Sequence, residues 1–327
     1  VHKPPASVST PEGIASALPQ VYALLADVID LPDVDPEYLA ALHRALDAAE
    51  ESERAGVTFT ALPLLACQAA GGQPHLALPA AAAWRALHIA VQLIDDLGRD
   101  DPPGAARPPA DTAQVLNLST GFVVAANLAL ARLPPALWPT LQSDFSRTIL
   151  RMAGGQHADL GRRAAFDLDE CFQVMAARSG GFFALSARAG AACGTTDQSQ
   201  IAKYDLFGYN VGILIQIIED LSDFHRPIGR GDLARGLRTL PALYALSVAS
   251  PPERTRLDQL LTSVRVNKEA EPQARQLMVA LGAEVYLRAE TTHYRDEALS
   301  ALMEPVRVVS SADRSLSEWL EAISRPS

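Results

Sequence analysis

The sequence predicts an all-α protein. Ala- and Leu-rich segments with apolar residues at helical spacing run along most of its 327 residues. No series of alternating strand-like segments or Gly-rich strand-to-helix turns interrupts them. Pro and Gly clusters, among them Gly71-Gly72, Pro102-Pro103-Gly104, Pro134-Pro135, Gly180-Gly181 and Pro251-Pro252, cut the chain into about ten or more helix-sized pieces. With 48% hydrophobic and 20% charged residues the chain can bury a large core and is too apolar to be disordered.

The N-terminal stretch Val1 to Gly13 is rich in Pro, Ser and Thr and lacks the apolar centre of a signal peptide, so it reads as a flexible tail. No later break has the long polar composition of a linker and no repeat is evident, so residues 14–327 are expected to form one domain. The uncharged run Leu206 to Ile218 falls short of the roughly 20 residues that cross a bilayer, and no transmembrane segment is expected. Cys67, Cys171 and Cys193 are scattered and odd in number, which gives neither a disulfide framework nor a Cys-x-x-Cys metal site and fits a reducing cytoplasm. A formal charge of −10 argues against nucleic-acid partners, which need a basic footprint. An anionic substrate would need arginine or a metal ion.

The first candidate site lies in Leu93-Ile94-Asp95-Asp96-Leu97-Gly98-Arg99-Asp100-Asp101, at the end of an Ala-rich helix stopped by Pro102-Pro103. Carboxylates are disfavoured there by the helix dipole, and Asp96 and Asp100 repel at i,i+4. A divalent cation would reverse that penalty; a solvated acidic loop is the alternative. The second lies in Gly212 to Asp223, where Gln216, Glu219, Asp220 and Asp223 fall at i, i+3, i+4 and i+7, on one helical face. Gly208 and Gly212 extend that face, each costing about 1 kcal/mol of helix propensity relative to Ala where a bulky group would block close approach, so the face reads as built to admit something. A polar stripe on a surface helix is the alternative. Mg2+ suits both clusters, since it prefers carboxylate oxygens shared with substrate phosphates. Gln156 and Asp159, one turn apart in Gly155-Gln156-His157-Ala158-Asp159-Leu160, suggest a third polar face. Arg178, and Arg226 or Arg230, are the candidates for diphosphate contact.

In order, these elements resemble the trans-isoprenyl diphosphate synthase family from about Glu53 to Leu246. Ala86 to Asp101 is similar to its first aspartate-rich helix, and Gly155-Gln156-x-x-Asp159 to its Gly-Gln-x-x-Asp element. Arg178-Ser179-Gly180 stands where the family has Lys-Thr-Gly, and Glu219-Asp220-Leu221-Ser222-Asp223 resembles the second motif with Glu for its first Asp. The segment Gly231 to Pro241 resembles the stretch that follows. The resemblance implies the isoprenoid synthase fold, a helical bundle around a deep central cavity, usually a homodimer. It implies Mg2+ on Asp95, Asp96 and Asp101 from one wall and on Glu219, Asp220 and Asp223 opposite.

Two departures bear on function. The family binds isopentenyl diphosphate with Gly-Lys-x-x-Arg, where this chain has Gly56-Val57-Thr58-Phe59-Thr60, and its Arg-Arg-Gly element is reduced to Arg107 among prolines. Each lost charge-assisted hydrogen bond costs about 1.5–3 kcal/mol, so the second diphosphate pocket looks dismantled. The reading is therefore a class I terpene synthase that ionises an allylic prenyl diphosphate of fifteen to twenty carbons, with Asp95, Asp96, Gln216 and Asp220 at the reaction. Arg178, Arg226, Arg230 and Gln156 would hold the diphosphate. Phe59, Trp84, Phe183 and Phe207 are candidates to face a carbocation, and the small Ala90 and Val91 stand where the family sets its chain-length floor. A chain-elongating synthase, a prenyltransferase with an unusual acceptor and a non-catalytic subunit are the alternatives. Asp95 and Asp220 are expected to do no structural work.

Overall fold

Helices account for every regular element among the residues described by the computed structural model, which are 12–55, 57–98, 109–160, 167–303 and 311–324. In chain order they are α1 (Glu12–Ile29), α2 (Pro36–Ala55), α3 (Ala61–Ala69), a 3-10 turn (Pro74–Ala77), α4 (Leu78–Gly98), α5 (Pro109–Leu130) and α6 (Trp138–Leu160). Then come α7 (Leu168–Met175), a π-helical turn (Ala176–Gly180), α8 (Gly181–Gly194) and α9 (Gln198–Phe224). The last are α10 (Leu240–Val248), α11 (Pro251–Ser263), α12 (Ala270–Ala280), α13 (Ala283–Leu302) and α14 (Ser311–Ile323). Helix α1 takes in Glu12 and Gly13, the last two residues assigned to the tail; Glu12 in the first turn complements the helix dipole. The rest of that tail, residues 1–11, lies outside the described residues, as does Asp101.

The described helices group into two compact units, each assembled from segments distant in the chain. One comprises the described residues up to Arg147 with Leu185–Asp205 and Leu302–Ile323. Its centre is α4, where Ala80, Ala81, Ala82, Ala83, Trp84 and Ala86 are fully buried. The alanine row lets α5 approach closely, and the Ser119 hydroxyl on α5 donates to the Ala90 carbonyl at 3.0 Å. Helix α14 closes on α3: Trp319 Nε1 donates to the Thr58 carbonyl at 3.1 Å, and Asp313 accepts from the Tyr204 hydroxyl at 3.0 Å.

The second unit holds Thr148–Ala184 and Leu206–Ala301. One apolar cluster gathers Met175, Ile213, Ile217, Leu221, Leu243 and Leu287, and another Phe224, Leu233, Leu257, Leu261 and Met278. Helix α7 starts at a capping box, in which Asp167 accepts from the Glu170 amide and Glu170 from the Asp167 amide.

Two segments other than Leu206–Ile218 are, by length and composition only, apolar enough to span a membrane. In Pro74–Leu97 the apolar window is 61% buried, so its hydropathy is that of a core helix; in Asp111–Leu130 it is 33% buried. Helix α5 therefore keeps an exposed apolar face, with Leu116, Val124 and Leu128 among the exposed large side chains.

Candidate active site

In the second unit the site grows from the meeting of α9 with α8 and the π-helical turn. A Cβ on Gly208 would lie 2.4 Å from the Phe183 carbonyl oxygen, and one on Gly212 2.2 Å from that of Ser179. These glycines give the close approach that a bulky group would block, and what they admit is a second backbone. One turn further along, the contact delivers Gln216 to Ser179, whose hydroxyl donates to Gln216 Oε1 at 3.1 Å. Gln216 Nε2 in turn donates to Asp220 Oδ1 at 3.5 Å. The π-helical turn inserts a residue into the α7–α8 path, a distortion common at functional sites, and carries Arg178. A pocket of about 30 Å3, room for a water or two, is lined by Arg178, Gln216, Asp220 and Thr239 with Cys171, Val174 and Met175. Gly155 of α6 packs on the Arg178 stem, where a Cβ would lie 3.0 Å from Cγ, so the half-buried Gln156 follows directly after that contact. The side chain of Asp159 lies outside the described residues.

The acidic stripe divides by environment. Glu219 is exposed, Gln216 and Asp223 are half-buried, and Asp220 is buried. Asp220 Oδ2 accepts from the Leu240 amide at 3.1 Å, at the start of α10, and Asp223 Oδ2 accepts from the Asp232 amide at 2.7 Å. Both carboxylates thus do structural work, for Asp220 contrary to expectation: Asp220 holds the end of the 225–239 loop and Asp223 its middle. Burial raises the Asp220 carboxyl to about 7; the Leu240 amide opposes the rise, while the charges of Asp232 and Glu219 add to it. Asp223 is raised by burial and Asp232, against its amide bond and the pull of Arg226 and Arg235. Arg226 is exposed and its Nε lies 3.3 Å from Asp223 Oδ1; Arg230 is exposed. Among the described residues no three His, Cys, Asp or Glu side chains converge into a metal cage. The donor set still suits Mg2+, which binds through one or two carboxylates completed by water and phosphate. A buried acid held near neutrality gains from a cation what burial costs it.

In the other unit Asp95 is half-buried and Asp96 exposed at the end of α4. Trp84 packs on the His88 ring at 5.0 Å; Phe59 meets His88 edge-on at 5.8 Å and Trp319 at 6.5 Å. Ala90 is buried and Val91 half-buried. Phe183 and Phe207, in the second unit, are buried, Phe183 against Phe182 at 5.9 Å. All four aromatic candidates are packing residues in this structure.

A buried polar network around Arg85 escaped sequence reasoning. Arg85 is 1% exposed; Nε donates to the Tyr22 hydroxyl at 3.1 Å, Nη2 to the Ala49 carbonyl at 2.9 Å, and Nη1 lies 3.7 Å from Glu53 Oε1. Glu53 also accepts from the Tyr22 hydroxyl at 2.9 Å and the Thr60 amide at 3.1 Å. Arg85 Nη1 lies 3.0 Å from His88 Nδ1. Guanidinium only donates, so Nδ1 accepts and the ring proton sits on Nε2. Burial, reinforced by Arg85, lowers His88 to about 3. The signal was present, since Arg85 is the one formal charge between Leu78 and Ile94 and a buried charge demands a partner.

The sequence profile of the family described as Polyprenyl synthetase matches residues 58–278. The chain belongs to the polyprenyl synthetase family. A short chain isoprenyl diphosphate synthase from Methanothermobacter thermautotrophicus is 26% identical over 283 residues, covering 81% of each chain. A (2E,6E)-farnesyl diphosphate synthase from Mycobacterium tuberculosis is 27% identical over 202 residues, 57% of this chain and 55% of its own. The polyprenyl synthase of Caulobacter crescentus, solved with calcium and isoprenyl diphosphate, superposes with a TM-score of 0.80 over the full length of both chains at 21% identity. The all-α isoprenoid synthase fold is thereby established for this polyprenyl synthetase family member. These relatives bear the names of chain-building synthases, not cyclases.

Proposed function

We propose that this chain is a Mg2+-dependent prenyltransferase, which ionises an allylic isoprenoid diphosphate and joins the prenyl group to isopentenyl diphosphate in a farnesyl- or geranylgeranyl-type elongation. This puts transfer ahead of the cyclisation expected from sequence. Family membership across residues 58–278 is the observation that carries it. The Arg178, Gln216 and Asp220 pocket supports it by placing a cation and a carboxylate on one small cleft.

Arg178, with Gln156, Arg226 and Arg230, binds the diphosphate. Asp95, Asp96 and Asp101, and Glu219, Asp220 and Asp223, are the Mg2+ ligands. When bound, Mg2+ supplies Lewis-acid stabilisation of the departing diphosphate. Gln216, fixed by Ser179, orients the Asp220 carboxylate. Ala90 and Val91 leave depth for a tail of fifteen to twenty carbons. The exposed face of α5 joins a second copy in a homodimer.

A second reading, the terpene cyclase, is favoured by one observation. Val57, Thr58 and Thr60 bring no cation to the segment that in the family binds isopentenyl diphosphate, and Thr58 and Thr60 are engaged by Trp319 and Glu53. One assay separates the readings: the chain is incubated with Mg2+ and farnesyl or geranylgeranyl diphosphate, with and without isopentenyl diphosphate. A longer diphosphate formed only with isopentenyl diphosphate supports transfer. Hydrocarbon or alcohol formed without it supports cyclisation, and a folded chain with no turnover supports a non-catalytic subunit.

A further inference from the structure

The loop 225–239 between α9 and α10 carries Arg226 and Arg230, and its path is fixed from two directions. From α9, Asp223 holds the Asp232 amide. From α12, Glu271 Oε2 accepts from the Gly229 amide at 2.7 Å, and Arg275 Nη1 donates to the Arg226 carbonyl at 2.7 Å. The two α12 residues are tied together, Arg275 Nη2 donating to Glu271 Oε1 at 3.0 Å, and the guanidinium lies 5.8 Å from the centre of the Phe224 ring. Arg230 is thus framed by Gly229 and Gly231, both at positive φ (83° and 90°), a backbone that side chains rarely adopt and that needs outside contacts to persist.

Glu271 is 3% exposed, and removing a carboxylate from water is costly unless its bonds return the energy. Its bonds go to one loop amide and to the arginine that holds the loop carbonyl three residues earlier. The pair lies on a helix beyond the acidic motifs, so motif spacing gives no hint of it.

We infer that Glu271 and Arg275 are positioning residues that set the diphosphate affinity of Arg226 and Arg230 by fixing the loop that carries them. The inference rests on the proposed prenyl diphosphate chemistry and deepens it. Neither residue touches substrate; they act through Gly229 and the Arg226 carbonyl.

The test uses the full chain, Mg2+ and inorganic pyrophosphate. Hydrogen exchange of the ligand-free protein reads the loop, and calorimetry reads pyrophosphate affinity. Glu271→Ala is expected to speed exchange at 226–232 and weaken pyrophosphate binding by about tenfold, the scale of one lost charged hydrogen bond. Glu271→Gln keeps an acceptor for the Gly229 amide and is expected to stay within about threefold of wild type. Arg275→Lys, which cannot span Glu271 and the Arg226 carbonyl together, carries the same expectation as Glu271→Ala should that variant fail to fold. Unchanged loop exchange, or faster exchange with unchanged pyrophosphate affinity, would overturn the inference. Wild type that does not bind pyrophosphate removes the proposed chemistry itself, and the inference with it, before any variant is made.

Discussion

Asp220 meets two demands at once, holding the Leu240 amide at the head of α10 and offering an oxygen to the pocket. Asp220→Asn keeps an acceptor and removes the charge, whereas Asp220→Ala leaves a buried amide unpaired. In metal-free thermal melts the Ala variant is expected to lose about 1–3 kcal/mol and the Asn variant little or nothing. Both should abolish Mg2+-dependent turnover, and an Ala variant as stable as wild type would show that the Leu240 amide does not need Asp220. His88 gives the pH signature. Its folded value of about 3 lies below the ordinary 6.5, so the unfolded chain binds the extra proton between those values. The stability this contributes is complete above pH 6.5 and drains away as pH falls toward 3. His88→Asn, which retains an acceptor for Arg85, is expected to flatten that part of the denaturation-midpoint profile.

At the scale of elements, the junction of α9 with the π-helical turn decides where Arg178 and Gln216 stand. Gly212→Ala forces a methyl group into the Ser179 carbonyl and is expected to cost about 1–3 kcal/mol and to loosen the Ser179–Gln216 bond. Gly154→Ala, in open space on α6, is the control and should be neutral or stabilising by about 1 kcal/mol. Equal melting temperatures for the two variants would count against backbone contact at Gly212. The stripe Gln216, Glu219, Asp220 and Asp223 was legible because helical period is local. Its split into exposed, half-buried and buried members was not, since that depends on which neighbour covers each turn. The glycine spacing was visible for the same reason and its purpose was not: close approach to another backbone and room for a ligand leave the same mark in a sequence. Arg178 stood out through motif order, whereas the π-helical turn that carries it has no local signature.

For the molecule as a whole, the all-α class and the family were readable from the order of several independent elements, each weak alone. Activity was less readable, because Val57 to Thr60 departs from the family while the relatives that match across the chain are named for chain building. The proposed dimer surface was not foreseen residue by residue; α5 draws attention only once its apolar side is seen to be left exposed. Val124→Glu with Leu128→Lys is expected to turn a dimer into a monomer by light scattering while preserving helix content. A wild-type chain of monomer mass would end the homodimer proposal.

The buried Arg85–Glu53 pair also constrains which substitutions this chain can accept. Placing Arg at position 60, as the family segment has it, sets a second cation beside Arg85 in a site already closed to water. Removing Arg85 first strands Glu53. Each single step is expected to destabilise the fold although the double change need not, so the position is epistatically constrained, and an arginine at position 60 would have to arrive through linked substitutions.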